Sequence, residues 1–213
     1  SRYDNLRGGY KVDILGLMWG AICQVLSFAC IPFVWWLCTG RKKESFFSWI
    51  GLKKVHGDLK KISICTTIFI MSCIISQLFL VPYLIPKGVT VQSSYAGQGW
   101  TALVPVFFFA MIQTGLSEEI FFRGFLSKRL CNKWGFKVGN LIQGFLFGLL
   151  HGVLFFVVTT PIKAIIIVLI TGFSGWLLGY LTEKGSGGSI IPAWLVHGLG
   201  NLILAMVEAF GML

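Results

Sequence analysis

Charge is scarce in this chain and negative charge scarcest: 213 residues hold 18 Lys and Arg but only 8 Asp and Glu. The charged share of 12% is about half that of a soluble domain, and the mean hydropathy is +0.79. So little charge argues against a globular protein with a large core and for a chain that crosses a membrane several times. The cysteines (Cys23, Cys30, Cys38, Cys65, Cys73 and Cys131) show no CxxC or metal-type spacing. Five of them fall in or beside apolar runs, which reads as small packing residues and not as a disulfide framework. There is no internal repeat, no low-complexity tail and no HExxH. A cleavable signal peptide is not expected, because the first apolar run is too long and no small-residue cleavage site follows it. The basic excess could suit nucleic acid, but the basic residues cluster between apolar segments, the positive-inside pattern. Nucleic acid is therefore not an expected partner, and the lipid bilayer is.

Six apolar segments are present, at roughly 12–38, 62–85, 101–126, 138–158, 162–182 and 190–212. A spanning helix needs about 20 apolar residues, and helices alone satisfy their backbone within such a run. The expected fold is all-α: a polytopic transmembrane helix bundle of about six spans plus an amphipathic interfacial segment. It forms a single integral membrane domain over 1–213, with two N-terminal spans and a basic loop in 1–94 and the motif-bearing core in 95–213. The basic loop, "RKKESFFSWIGLKKVHGDLKK" (41–61), is expected to lie on an anionic membrane surface. "VTVQSSYAGQGW" (89–100) reads as an outer loop or a shallow re-entrant piece. Seven Lys and Arg lie between segments one and two, five between three and four counting Arg123, and one between five and six. The alternate connections hold three, one and one, which predicts both termini outside.

From Thr101 to Leu116 there is no charge at all; then comes "SEEIFFRGFL" (117–126). Ionisable groups within spans default to a functional hypothesis. Here they are Glu118, Glu119 and Arg123 in segment three, His151 in segment four and His197 in segment six, joined by the amide Asn201. Asp13 and Glu208 lie near segment ends and are read as solvated. At about 1.5 Å per residue, Glu118 lies some 15 Å from the inner edge, His151 about 20 Å, His197 about 12–14 Å and Asn201 about 18–20 Å. Packing residues have no reason to agree in depth; a shared hydrated cavity produces the agreement. Glu119 and Arg123, four apart, can pair on one helix face. His197 and Asn201 stack two donors on another face, which suits a developing negative charge.

These residues resemble a known family. "EEIFFR" (118–123) is similar to its EExxxR motif, "FGLLH" (147–151) to its FxxxH and "HGLGN" (197–201) to its HxxxN. The family is CPBP, the CAAX proteases and bacteriocin-processing enzymes, also called Abi proteins or type II CAAX prenyl endopeptidases. The resemblance covers roughly 95–213. It implies an intramembrane glutamate protease, with no cofactor or metal, acting on a membrane-associated or lipidated peptide or protein in a prokaryotic cell membrane. Glu118 is implied as general base for a water that His151 helps to hold, and His197 with Asn201 as the oxyanion hole. Glu119 and Arg123 form a supporting ion pair, and Phe147 packs beside them.

Other readings stay open on the residues alone. "GFSGWLLG" (172–179) resembles the rhomboid GxSGxxxG, with Ser174 activated by His197, although the glycines are explained more simply by close helix contact. Glu118, His151 and His197 could form a His₂Glu zinc set. A non-catalytic bacteriocin-immunity or scaffold protein, or a proton-coupled carrier, is the reading from a different class.

Overall fold

A computed structural model describes residues 14–212. The start of the first expected span, Asp13 and the N-terminal basic residues lie outside the described residues. Helix is the only regular structure among the described residues, with no strand. Helix α1 covers Ile14–Thr39, a short α2 Phe46–Trp49, α3 Leu59–Leu84, α4 Gly99–Phe156, α5 Pro161–Gly185 and α6 Ile191–Ala209. Five of these are long and apolar enough to cross a membrane, against six expected segments. The difference lies in α4, which runs through both the third and the fourth. Gly135 breaks it with a left-handed φ of 76°, a conformation that costs glycine little because it has no Cβ. The two arms fold back on each other, with the Phe122 and Phe147 rings 5.0 Å apart.

The three basic connections meet at one end of the bundle. Lys128 Nζ donates to Gly188 O at 2.8 Å and pairs with Glu183 at 3.0 Å. Ser189 Oγ donates to Lys53 O, Ile190 N to Gly51 O, and Asp58 N to Gly185 O. The opposite end joins Trp100 to Phe210, 5.1 Å between ring centres, and Thr159 to Leu84 O. Alternate connections thus share an end, as six spans require.

The basic 41–61 loop packs part of its apolar face into the protein. Trp49 and Ile50 are buried, Ile50 completely, because Gly124 leaves space: a Cβ there would sit 3.1 Å from Ile50 Cβ. Arg129 stacks over Trp49 at 3.8 Å. Of the loop's apolar residues, Phe47 and Leu59 stay strongly exposed. Asp58 caps α3, accepting from Lys60 and Lys61 N–H, and these bonds hold its carboxyl below the usual range, the Lys61 bond most. The 89–100 stretch forms 3₁₀ turns, with Tyr95 buried against Phe109.

Helices α4 and α5 approach closely through glycines. A Cβ on Gly144 would stand 3.0 Å from Gly172 O, and one on Gly175 3.0 Å from Phe147 Cβ. Small residues let helix backbones meet where lipid gives no hydrophobic drive to associate.

Candidate active site

The first arm of α4 carries both glutamates. On either side of Ser117 and Glu118 its backbone opens into π-helical stretches, Phe108–Leu116 and Glu119–Ser127. Such a register change shifts carbonyls from their usual partners, and in a membrane each needs another. Side chains supply them. Thr114 Oγ1 donates to Phe109 O at 3.0 Å, Ser117 Oγ donates to Gln113 O, and the Trp194 indole of α6 donates to Met111 O at 2.7 Å. Helices α4 and α6 cross where Gly115 meets Gly198; a Cβ on Gly115 would lie 3.2 Å from Gly198 Cα. This crossing sets His197 beside the glutamates.

His197 Nδ1 is 2.9 Å from Glu119 Oε1, and its Nε2 is 3.8 Å from Glu118 Oε2. Arg123 Nη1 approaches the same Glu119 oxygen at 2.9 Å as a charge contact, while Nη2 donates to Gly175 O at 3.2 Å. The guanidinium carbon lies 4.3 Å from the centre of the Phe147 ring, a cation–π arrangement. Glu119 and Arg123 have no exposed surface; His197 is 7% and Glu118 9% exposed. One imidazole therefore lies between two carboxylates, with a buried cation behind. Glu118 Oε2 is buried and has no hydrogen-bond partner, and buried polar atoms of that kind call for an explanation.

The Phe147 ring stands between the two histidines, 4.6 Å from His151 and 6.0 Å from His197. His151 Nδ1 is 2.9 Å from Phe147 O. A carbonyl only accepts, so Nδ1 carries the hydrogen and Nε2 of the neutral ring is left as an acceptor. Asn201 Nδ2 donates to Thr114 Oγ1 at 3.2 Å, which ties it to the glutamate-bearing arm.

Glu118, Glu119, Arg123 and His197 thus come into direct contact, Phe147 and His151 adjoin them through ring contacts, and Asn201 through Thr114. Among the described residues no hydrogen bond or ion pair joins His151 to Glu118, or Ser174 to His197. No three His, Cys, Asp or Glu side chains among them converge as a metal-ligand set. The sequence reading missed the polar support under Arg123. Gln143 Nε2 donates to the same Gly175 carbonyl at 2.9 Å and to Asn140 Oδ1 at 2.8 Å, and Asn140 Nδ2 donates to Trp176 O at 3.0 Å. The available signal was two amides on the helical face that continues to Phe147.

Residues 99–203 match the family described as Type II CAAX prenyl endopeptidase Rce1-like, and every residue of the cluster lies in that stretch. Comparison with curated proteins and with solved structures gives no match.

Proposed function

Since the chain belongs to the Rce1-like type II CAAX prenyl endopeptidases, the family it matches over residues 99–203, we propose that it is an intramembrane endopeptidase of the glutamate type. The observation that supports this most directly is the Glu118–His197–Glu119 arrangement, with Glu118 Oε2 buried and free of any donor. Glu118 takes a proton from a water as the water oxygen bonds to the scissile carbonyl carbon. His151 Nε2 accepts from the water's other hydrogen. The carbonyl oxygen becomes an oxyanion facing His197 Nε2 and the second amide hydrogen of Asn201, the first being held by Thr114. Because Nδ1 of His197 is committed to Glu119, Nε2 donates when the ring is an imidazolium, and Glu119 is its counter-ion. As the C–N bond breaks, Glu118 returns the proton to the leaving amine, so no other reactant enters.

The supporting roles follow from contacts. Arg123 fixes Glu119, and Glu119 fixes the plane of His197. The whole chain acts as one integral membrane domain, both termini outside, the site in the inner half to middle of the bilayer. The substrate is a membrane-associated or lipidated peptide or protein.

Purified protein in detergent, given a fluorogenic peptide with and without a lipid anchor, tests this reading. Cleavage is expected with the wild type, lost in Glu118→Gln, and retained in Ser174→Ala and in the presence of a chelator. Cleavage that survives Glu118→Gln sinks the glutamate mechanism.

A further inference from the structure

A cavity of about 350 Å³ lies at the end of the bundle away from the basic loops, within the usual size of small-ligand sites. The chemistry above makes no use of it. Phe155, Ile167 and Ile170 form an apolar wall; Gln77, Lys87 and Glu208 supply polar and charged groups. Gln77 belongs to the π-helical stretch Ser76–Leu80 of α3, a distortion frequent at functional sites.

Glu208 is the member that packing does not explain. It sits in the last turn of α6, where the helix dipole disfavours an anion and favours a cation. Its carboxylate has no ion-pair or hydrogen-bond partner among the described residues. Lys163, at the same end, is committed to the Tyr83 carbonyl at 2.6 Å. Lys87 lines the cavity without pairing to Glu208. The residue placed by sequence near a segment end therefore lines a partly open, largely apolar cavity with no cation among the described residues paired to it.

We propose that this cavity binds a zwitterionic aminophospholipid. Its primary ammonium meets Glu208 and the Gln77 amide oxygen, its phosphate turns to Lys87, and the first part of an acyl chain lies along Phe155, Ile167 and Ile170. Helices α3, α4 and α6 end beside the cavity, at Leu84, Phe156 and Ala209, which is the depth of a headgroup. An acid and a base that line one cavity without pairing to each other match a zwitterion in both signs. A primary ammonium donates three hydrogen bonds; a choline headgroup donates none, and a glycerol headgroup brings no cation for Glu208.

Native mass spectrometry of the purified full chain tests this without any peptidase readout, so it fails or succeeds independently of the proteolytic mechanism. The probes are phosphatidylethanolamine, phosphatidylcholine and phosphatidylglycerol of matched chains, and free phosphoethanolamine. Wild type is expected to retain the ethanolamine lipid about tenfold more tightly than the other two, the scale of a charge-assisted hydrogen bond. Glu208→Gln is expected to abolish that preference, and Ile170→Trp to weaken all three lipids alike. Should Glu208→Gln fail to fold, Glu208→Asp and Gln77→Leu must each reduce the preference. Equal retention of the three lipids by wild type, or a preference unchanged in the Glu208 variant, overturns the proposal. Phosphoethanolamine binding as tightly as the lipid also overturns it, by identifying a soluble amine as the ligand.

Discussion

His197 Nδ1 lies 2.9 Å from Glu119 Oε1, the oxygen that also stands 2.9 Å from Arg123 Nη1. That shared atom gives two adjacent glutamates different surroundings. Glu119 is gripped from both sides and orients the imidazole. Glu118 touches the ring only at 3.8 Å and keeps a buried oxygen uncommitted.

Stability and turnover are therefore expected to part company between the two. Glu119→Gln leaves Arg123 buried without its counter-charge, a loss of roughly 3–5 kcal/mol, seen as a lower thermal midpoint in detergent. Glu118→Gln keeps the wild-type midpoint within about 1 kcal/mol while turnover falls by about 10²–10⁴. Equal destabilisation by both substitutions contradicts the division.

Asn201 is expected to act through the transition state. Asn201→Ala lowers kcat by about 10²–10³ with little change in KM. Thr114→Val, which removes only the anchor seen at 3.2 Å, lowers kcat in the same sense by less. Steady-state kinetics on the fluorogenic peptide separate the two parameters.

The amides beneath Arg123 give a third expectation. Gln143→Leu strips one donor from Gly175 O and leaves Asn140 Oδ1 unmet, a cost of about 1–3 kcal/mol. Activity declines with stability, because Arg123 loses a neighbour that fixes its own anchor. Thermal unfolding alongside kinetics checks this.

Glycines along the chain are expected to differ sharply in tolerance. A side chain at Gly148 collides with Val168 O, whereas Gly20 has no heavy atom within 4 Å of an added Cβ. Gly148→Val should cost about 1–3 kcal/mol or prevent packing. Gly20→Ala should be neutral or stabilising within about 1 kcal/mol. Expression and melting of the two variants side by side decide the matter.

Hydropathy alone made the spans and their shared ends legible, because lipid permits few alternatives to a continuous helix. It could not show that the chain reverses between the third and fourth segments at a single left-handed glycine; Gly135 sits in a polar, basic stretch that reads as an ordinary loop. Amphipathicity marked 41–61 as interfacial but could not show that Ile50 packs into the protein beneath Gly124, a contact between distant positions with no local signature. At the site, matched depth grouped Glu118, His151, His197 and Asn201, and the four-residue spacing paired Glu119 with Arg123. Which nitrogen of His197 meets which carboxylate was not legible, because it depends on the Gly115–Gly198 crossing. The single-domain reading of 1–213 remains a proposal beside these.

Gly135 also bears on the order of assembly. Arg123 reaches Gly175 over 52 residues of chain, whereas Glu119 meets His197 only over 78. Closer partners are joined at lower entropic cost, so the hairpin bent at Gly135 and the helix after it can mature while α6 is still on the ribosome. The acid half of the cluster then forms first, with Glu119 held by Arg123 until α6 brings the His197 imidazole.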